Sequence, residues 1–456
     1  MSKNVYRIVP LMLIIVVLLG ALPAFAQEPV TITWFVGLGT GAAPEQQDAQ
    51  IAVVDRFNET HDDIQLEVIF VTNDEAPQTL ATLIATGESP DIIGPVGFAG
   101  TNAFLDNLLD LQPFVDATGY DLSQFDTSIV DFNRVSQQGL VGLPFALFPS
   151  FLYYRPALFE EAGLEMPPTA HGEPYILDGE EVPWDVNTLT EIAKRLTVDA
   201  NGFDATEEEF DPESIVQWGF VNQWTNMRQN ATMFGPGSLY EDNGDGTFTA
   251  VMPDNWRMAY NWVYDAIWKD HFYPNAAQEA SDLLANGNAF ASGNVAIAQS
   301  HLWYTCCLGD DTEWQIAPTP SYEGTTTARL HADTFRILNT SDNPEEAFEV
   351  LTFLVGDASR ELLQVYGGMP ARPDQRDQFF ADLDARFTQG VNWDIAIASL
   401  QFVDIPSHEE WLPNNNEAFT RLQSFWSFIQ SEPGLDINAE IDNLLADLDA
   451  IYNAAE

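Results

Sequence analysis

The sequence predicts an α/β protein in which two lobes share one chain. Strand and helix patterns alternate from residue 30 towards the C-terminal end, as is typical of α/β sheets with right-handed crossovers. The length of 456 residues is enough for two or three domains of ordinary size. The sequence has no internal repeat and no long linker, which favours two lobes that share the chain over separate domains.

Composition excludes several classes of function. The chain has 69 Asp and Glu against 17 Lys and Arg, a formal net charge of −52. A surface this negative repels phosphate backbones and anionic lipid headgroups, so nucleic-acid binding and peripheral membrane binding are not expected. Hydrophobic residues make up 46% of the chain. A large core can therefore be buried, and wholesale disorder is excluded.

The N-terminal segment has the pattern of a cleavable secretory signal. Lys3 and Arg7 precede the uncharged apolar residues 8–26, which end in Pro23-Ala-Phe-Ala26. We expect residues 1–26 to be removed, which gives an exported, soluble, periplasmic or extracellular protein. The alternative, an uncleaved membrane anchor, is disfavoured by the proline and the small residues at the cleavage site. No Cys lies near that site, so no lipid anchor is expected.

The first five elements follow from the periodicity of the mature chain. Residues 30–36 alternate β-branched side chains and predict a strand, and residues 46–60 carry apolar side chains at helical spacing. A strand, a helix and a short strand are predicted over 64–71, 76–86 and 91–93. Ligands of open α/β sheets bind in loops at the carboxyl ends of strands. Thr40 and Gly97, in the loops after the first and third strands, are therefore candidate ligand contacts.

The later elements are predicted in the same way. Residues 143–154 contain two prolines and form an extended aromatic run, which disfavours a helix. Residues 291–299 predict a turn that leads into a buried strand. Helical spacing predicts helices over 187–196, 256–268, 282–290, 344–354, 360–365, 422–429 and 441–452.

Five motifs occur in a recognisable order. They are Gly-Glu-Ser-Pro-Asp-Ile-Ile at 87–93, the run from Gly-Leu-Pro-Phe to Glu-Glu-Ala-Gly-Leu at 142–164, Ala-Phe-Ala-Ser-Gly-Asn-Val-Ala-Ile through Trp at 289–303, Asn-Pro-Glu-Glu-Ala-Phe to Phe-Leu at 343–354, and Gly-Gly-Met-Pro-Ala-Arg at 367–372. With this ordered set the chain resembles the extracellular solute-binding proteins of bacterial ABC importers, in the sugar-binding branch that includes maltose-binding protein. It departs from their pattern at Arg155-Pro156, where Asn-Lys is usual, and at His301, where the Gly-x-Trp motif has Gly.

The resemblance implies a two-lobe, type II periplasmic-binding-protein fold with discontinuous lobes joined by crossing hinge segments. Lobe 1 would comprise 27–146 plus 332–380, and lobe 2 would comprise 147–331 plus 381–456, with the ligand cleft between them. The protein would capture a carbohydrate, an oligosaccharide or related polyol, and deliver it to the transmembrane subunits of an ABC permease. No enzymatic activity and no cofactor are implied, and the protein is expected to be a monomer.

A carbohydrate site needs aromatic faces and groups that pair with hydroxyls. The first candidate is Trp303, which follows a predicted buried strand and matches the family's Gly-x-Trp aromatic, and Tyr304 is its neighbour. Trp224 and Trp411 are loop aromatics beside polar residues, and Phe148 lies in the first crossing segment. For each of these side chains the alternative is a packing role.

Three polar residues complete the candidate ligand set. His331 and Asp333 fall at the second crossing, where they could pair with ligand hydroxyls or form a satisfied buried pair. Arg372, in the Pro-Ala-Arg loop, could bind the ligand, but an ion pair with one of the many acids is favoured.

The two cysteines of the chain, Cys306 and Cys307, are adjacent. The oxidising surroundings of an exported protein favour a disulfide, whereas the short separation of neighbouring Cα atoms opposes one. A ring of this kind and two buried thiols both remain open. If formed, the ring would be a rigid apolar group three residues from Trp303.

No metal site is predicted, although two acidic loops invite a calcium interpretation. Asp199, Asn201 and Asp204 supply oxygen atoms at irregular spacing, for which a solvated acidic loop is the favoured interpretation. Residues 241–247 resemble the start of an EF-hand loop but lack its closing Glu. A hairpin turn is favoured for this second loop.

Two other functions compete with solute import. An exported glycoside hydrolase would use paired carboxylates, but acid pairs carry no information in a chain with 69 acids. No Gly-x-Ser-x-Gly or His-Glu-x-x-His motif is present in the sequence. A solute sensor coupled to a signalling receptor could use the same fold as the importer subunit.

Overall fold

The computed structural model describes residues 29–39, 41–135, 138–309 and 313–454. The predicted signal, residues 1–26, and the predicted ligand contact Thr40 lie outside the described residues. Within them, no helix combines the length and the apolar character needed to cross a membrane.

The strands and helices occur in the following order along the chain. The strands are β1 (Val30–Val36), β2 (Ile64–Phe70), β3 (Ile92–Val96), β4 (Arg134–Val135), β5 (Gly139–Leu140), β6 (Leu143–Tyr154), β7 (Tyr175–Leu177), β8 (Glu180–Val182), β9 (Val198–Asp199), β10 (Ile215–Asn222), β11 (Tyr240–Asp242), β12 (Phe248–Ala250), β13 (Val295–His301), β14 (Gln315–Ala317), β15 (Ser321–Tyr322), β16 (Thr325–Thr326), β17 (Leu330–Ile337) and β18 (Met369–Pro370). The α-helices are α1 (Pro44–Asn58), α2 (Ala76–Thr86), α3 (Phe98–Thr101), α4 (Gln112–Thr118), α5 (Thr127–Phe132), α6 (Pro156–Glu161), α7 (Val186–Arg195), α8 (Met227–Ala231), α9 (Asp254–Trp268), α10 (Ala276–Glu279), α11 (Pro344–Val355), α12 (Ser359–Tyr366), α13 (Arg376–Arg386), α14 (Asp394–Ser399), α15 (Asn415–Ser431) and α16 (Ile437–Tyr452).

Ten of these strands form one mixed sheet. Its order is β2-β1-β3-β17-β6-β13-β10-β9, and β14 and β18 also pair with β6. β1 runs parallel to β2 and β3, and β10 runs parallel to β13. Both β13 and β17 run antiparallel to β6. The sheet thus has a parallel unit on each side of β6, which confirms the predicted α/β alternation.

β6 joins the two halves of the sheet. Its first part, Leu143 to Pro149, pairs with β17, and its second part, Ser150 to Tyr154, pairs with β13. All of its residues except Phe148 are buried, and its two prolines exclude a helix. The predicted extended run is therefore confirmed. The predicted lobe boundaries at 146/147, 331/332 and 380/381 fall in β6, β17 and α13, and they stay predictions.

Most predicted helices are present, but one prediction was wrong. The expected helix over 282–290 is two 3₁₀ turns, Asp282–Gly287 and Phe290–Ser292. Ala285 and Asn286 adopt φ angles of 51° and 52°, a left-handed conformation that ends any right-handed helix. The apolar spacing of this segment reflects burial of Leu284 and Phe290 in the core and not a continuous helical face.

Candidate functional site

The register of the central sheet brings two distant histidines together. His301, the last residue of β13, lies opposite Ser150 on β6, and His331, in β17, lies opposite Phe148. Residues two apart on a strand face the same side of the sheet, so their partners do as well. The centroids of the two imidazole rings are 4.2 Å apart.

A third histidine, His408, comes from the segment between α14 and α15. Asp404 holds this segment against β17: one carboxylate oxygen accepts hydrogen bonds from Nδ1 of His408 at 2.6 Å and from its backbone N–H at 2.8 Å, and the other accepts from the N–H of Leu330 at 2.9 Å. The Nε2 atom of His408 consequently lies 3.4 Å from Nε2 of His331.

Two carboxylates border the histidines. Glu409 lies 3.1 Å from Nδ1 of His331 through Oε1. A Cβ atom placed on Gly97 would lie 3.5 Å from both Glu409 Oε2 and Asp333 Oδ1. The loop after β3 therefore approaches these carboxylates closely. Three predicted site residues, Gly97, His331 and Asp333, are neighbours in the structure.

Burial and mutual charge set the protonation of this group. Burial raises the pKa of Asp333 to about 6, and the charge of Glu409 adds to the effect. Burial would also raise the pKa of Glu409, but the contact with His331 outweighs it and lowers that pKa to about 2. Burial alone would lower the pKa of His331, but the charge and the hydrogen bond of Glu409 outweigh burial and raise that pKa. Glu409 is therefore an ionised hydrogen-bond acceptor at neutral pH.

A row of three nearly parallel rings extends from the histidines to the surface. The centroid of Trp303 is 5.7 Å from that of His301, with 15° between the planes, and 5.8 Å from that of Trp224, with 5° between the planes. Trp224 is 45% exposed, and its indole N–H donates to the backbone oxygen of Gly287 at 2.9 Å. Its φ of 50° is a conformation that bulky residues adopt rarely and mostly at functional positions.

Tyr304 and Phe148 flank this surface. Tyr304 is fully buried, stands edge-on to Trp224 at 5.3 Å, and donates a hydrogen bond to Asn288. Tyr304 therefore packs against Trp224 and has no exposed ring face for a ligand. Phe148 is part-buried and is the cross-strand partner of His331.

Trp411 lines a separate cavity of about 510 Å³. One wall comes from the first half of the chain, with Phe98 and Phe132, and the other from the β11–β12 hairpin, with Tyr240 and Phe248. The Trp411 ring contacts both hairpin aromatics, at 5.9 and 5.8 Å between centroids. The cavity adjoins the histidines along the chain, because Ser407 and Glu410 also line it.

The remaining predicted positions lie elsewhere. Arg372 forms an ion pair with Asp374 at 3.1 Å, which is the partner type that the sequence favoured. Cys306 and Cys307 form a disulfide in the turn after Trp303, with Cα atoms 3.8 Å apart.

The carboxylate oxygens of the first acidic loop, residues 199–204, accept hydrogen bonds from neighbouring protein groups. The Asp199 carboxylate accepts hydrogen bonds from the N–H groups of Asn201, Phe203 and Asp211. Asp204 accepts hydrogen bonds from the backbone and hydroxyl of Thr206. Residues 240–250 form the β11–β12 hairpin, which confirms the favoured interpretation of the second acidic loop.

Residues 43–361 match the family model described as bacterial extracellular solute-binding protein. This match covers well over half of the chain. The chain belongs to that family. Among curated proteins, this solute-binding protein is 22% identical over 356 residues to an uncharacterized lipoprotein in the oleD 5' region of Streptomyces antibioticus, covering 76% of this chain and 71% of that one.

Solved structures share the fold of this solute-binding protein. UspC of M. tuberculosis aligns with a TM-score of 0.71 and 20% identity over 92% of this chain and 100% of that one. The sugar-binding protein MalE of Xanthomonas citri aligns with a TM-score of 0.67 and 15% identity over 93% and 97%. Lmo0181 of Listeria monocytogenes aligns with a TM-score of 0.64 and 18% identity over 92% and 98%. These likenesses confirm the predicted two-lobe, type II fold.

Several residues of the site in this solute-binding protein were missed at the level of sequence. In the sequence, His301 was noted only as a departure from the Gly-x-Trp motif, and His408 was not selected. Their convergence depends on the pairing of β6 with two strands and on the docking of a loop. The scarcity of histidine could have pointed to this group. The chain has only six histidines, and three of them, His301, His331 and His408, meet here.

Proposed function

We propose that this protein is the exported substrate-binding subunit of an ABC importer, and that its solute is a carbohydrate, an oligosaccharide or a related polyol. Membership of the extracellular solute-binding family supports an exported binding protein. Two proteins of similar fold carry sugars: Lmo0181 was solved in complex with cycloalternan, and a solute-binding protein of Thermotoga lettingae with alpha-D-tagatose. The transmembrane permease subunits are the proposed partners.

The observation that carries the proposal is the pair of parallel indole rings beside ionised and polar groups. The indole of Trp224 stacks on that of Trp303 with 5° between the planes, and its nearly half-exposed ring offers an aromatic surface. A pyranose ring can lay its C–H face on such a surface while its hydroxyls reach polar groups. The third ring of the row is His301, whose neighbours His331 and Glu409 supply those groups.

Ligand contacts on both sides of β6 would favour a closed form. We assign 27–146 plus 332–380 to lobe 1 and 147–331 plus 381–456 to lobe 2, so that β6 and β17 act as hinge strands. Gly97 would then face the ligand from lobe 1, and the two tryptophans from lobe 2. A solute that touches both lobes only when they close shifts the population towards that form.

The proposed mature protein is a soluble monomer without a lipid anchor. The curated relative from Streptomyces antibioticus is named a lipoprotein, but lipid attachment requires a cysteine at the processed N-terminus. The cysteines of this chain are residues 306 and 307. A sensor that signals without transport would have the same fold, and neighbouring permease or sensor-kinase genes would distinguish the two roles.

A thermal-shift screen with an oligosaccharide panel, followed by calorimetry, tests the proposal. A sugar that binds only the native state raises the melting temperature. Replacing a central Trp of an interface costs about 2 kcal/mol, about thirtyfold in affinity, so Trp224→Ala and Trp303→Ala should each weaken binding on this scale. Phe419→Ala, which removes a 46% exposed aromatic from α15, is the matched control. Stabilisation by no sugar, or unchanged affinity in both Trp variants, contradicts the proposal.

We further propose that the protein makes and breaks no covalent bond. The competing glycoside hydrolase would find a pair of carboxylates in Asp333 and Glu409, which both approach Gly97. Incubation of the pure protein with glycosides, followed by measurement of reducing ends over time, distinguishes the two. Steady turnover that Glu409→Gln abolishes would establish the hydrolase instead.

A further inference from the structure

We propose that His301, His331 and His408 bind one divalent transition-metal ion of the zinc class. This inference goes beyond carbohydrate binding and does not depend on it. Among the described residues, these three histidines form a group of potential ligands close enough to share an ion. They come from three separate segments: β13, β17 and the chain between α14 and α15.

The spacing of the ring nitrogens fits a tetrahedral ion. Zinc–imidazole bonds of about 2.0–2.1 Å at tetrahedral angles separate two ligand nitrogens by roughly 3.3–3.4 Å. The Nε2 atoms of His331 and His408 are 3.4 Å apart. The three ligand atoms all lie within 4.8 Å of one another. Movement of the His301 nitrogen by at most about 1.4 Å would therefore bring all three ligand atoms to this spacing.

Carboxylates orient two of the three rings. The Nδ1 atom of His408 lies 2.6 Å from the carboxylate of Asp404, and Nδ1 of His331 lies 3.1 Å from that of Glu409. A carboxylate in this position keeps the proton on Nδ1 and leaves the lone pair of Nε2 free for a metal. Both free lone pairs belong to the two atoms that are 3.4 Å apart.

The third ring has a nitrogen without a hydrogen-bond partner. His301 is 1% exposed, and its buried Nε2 atom has no partner in the part of the chain that the structure describes. Most buried polar side-chain atoms have a partner. A metal ion shared with His331 and His408 would give this nitrogen one.

Two neighbouring groups oppose the ion. The amide nitrogen of Gln229 lies 2.9 Å from Nε2 of His331 and 3.4 Å from Nε2 of His408. The Gln229 side chain must therefore turn away when a metal binds. The buried guanidinium of Arg329 donates to the backbone of Gln229 and adds a positive charge nearby. Asp404 and Glu409 offset this charge.

A fourth ligand would reach the ion from the side of His331. The side chain of His331 is 24% exposed, whereas His301 and His408 are buried, so the accessible side of the ion is that of His331. This position would take water or an oxygen atom of the solute. Three imidazoles prefer zinc, cobalt, nickel or copper over calcium and magnesium.

Metal titration of the chelator-treated protein tests the site. Zn²⁺ is titrated by calorimetry and Co²⁺ by visible absorption, at about pH 8 where an unperturbed imidazole is neutral, with excess Mg²⁺ to occupy surface carboxylates. We expect one site per chain, ligand-field bands of nitrogen-bound Co²⁺, and a higher melting temperature with Zn²⁺.

Variants assign the site to its residues. His301→Ala and His408→Ala should each weaken Zn²⁺ binding at least a hundredfold, whereas His61→Ala, a histidine stacked on Phe57 outside the cluster, should bind as the wild type does. Circular dichroism of each variant confirms that it is folded. The proposal is overturned if the wild-type protein shows no saturable site and no cobalt bands, or if both variants bind Zn²⁺ as tightly as the wild type.

The metal proposal and the carbohydrate proposal are tested by separate measurements. Metal binding is measured without sugar, and sugar binding is measured with a chelator present. Failure of one proposal therefore does not decide the other.

Discussion

Asp404→Asn tests how the segment that carries His408 is held against the central sheet. Asp404 is fully buried, and its two oxygens accept three hydrogen bonds, two from His408 and one from the N–H of Leu330. It also balances the buried guanidinium of Arg329. Asparagine has the same shape, but it carries one acceptor oxygen and no charge.

The cost can be worked out from these contacts. If the amide oxygen of the variant faces His408, its NH₂ group faces the N–H of Leu330, and one buried charge-assisted hydrogen bond worth about 1.5–3 kcal/mol is lost. The two bonds to His408 become neutral and weaken by roughly 1 kcal/mol each. The free energy of unfolding should fall by about 3–5 kcal/mol, as when a buried ion pair loses a partner.

Thermal unfolding followed by circular dichroism is the assay. For a chain of this length, whose unfolding entropy is about 0.9 kcal/mol/K, the expected loss corresponds to a melting temperature roughly 3–6 °C lower. Asp436→Asn is the matched control, because Asp436 caps α16 by accepting one exposed hydrogen bond from the N–H of Ala439, and Asn is an equally good capping residue. The variant should also bind Zn²⁺ about 10- to 100-fold more weakly, because His408 loses its orienting carboxylate.

Equal melting temperatures for Asp404→Asn and Asp436→Asn would refute the reasoning. Such a result would mean that the carboxylate of Asp404 does not anchor the segment to β17.

Two further predictions concern other parts of the molecule. Burial raises the pKa of Glu279 to about 7, although a hydrogen bond from Gln430 acts in the opposite direction. Because this pKa lies above that of the unfolded chain, the contribution of Glu279 to the free energy of unfolding is full below about pH 4.5 and falls as the pH rises to about 7. Glu279→Gln should therefore raise the free energy of unfolding by at most about 3 kcal/mol at pH 8 and leave it unchanged at pH 4. The control Glu208→Gln, at an exposed position, should leave the free energy of unfolding unchanged at both pH values. An equal increase at pH 4 and pH 8 in Glu279→Gln would contradict this prediction. Alkylation without reduction should leave Cys306 and Cys307 unlabelled in the mass spectrum and reduction should expose both, whereas labelling of both thiols before reduction would show that the disulfide is absent.

Much of the secondary structure could be predicted from local patterns. The helix predicted over 76–86 coincides with α2, and the strand predicted over 30–36 coincides with β1. Both have strong periodicity and clear ends. The prediction failed over 282–290, where apolar spacing suggested a helix but Asn286 and Ala285 take the left-handed conformation. Hydrophobic spacing reports which side chains are buried and not which φ angles the backbone adopts.

The candidate site could be predicted only in part. Trp303 was predicted from its place after a buried strand and its match to the Gly-x-Trp motif, and Trp224 was predicted as a loop aromatic beside polar residues. Their parallel stacking and the exposure of Trp224 required the structure. Tyr304, the sequence neighbour of Trp303, is fully buried, which no pattern of residue types could distinguish.

The sequence by itself determined the order of strands and helices, the family and the strongly acidic character of the protein. These properties depend on residue type and on spacing over a few tens of residues. The tertiary structure alone decided that His301, His331 and His408 meet, because their contact depends on the register of two strands along β6 and on the docking of Asp404 against Leu330. Register and docking are set by the packing of the whole core. Residues that are far apart in the chain can therefore form one site only after the chain folds.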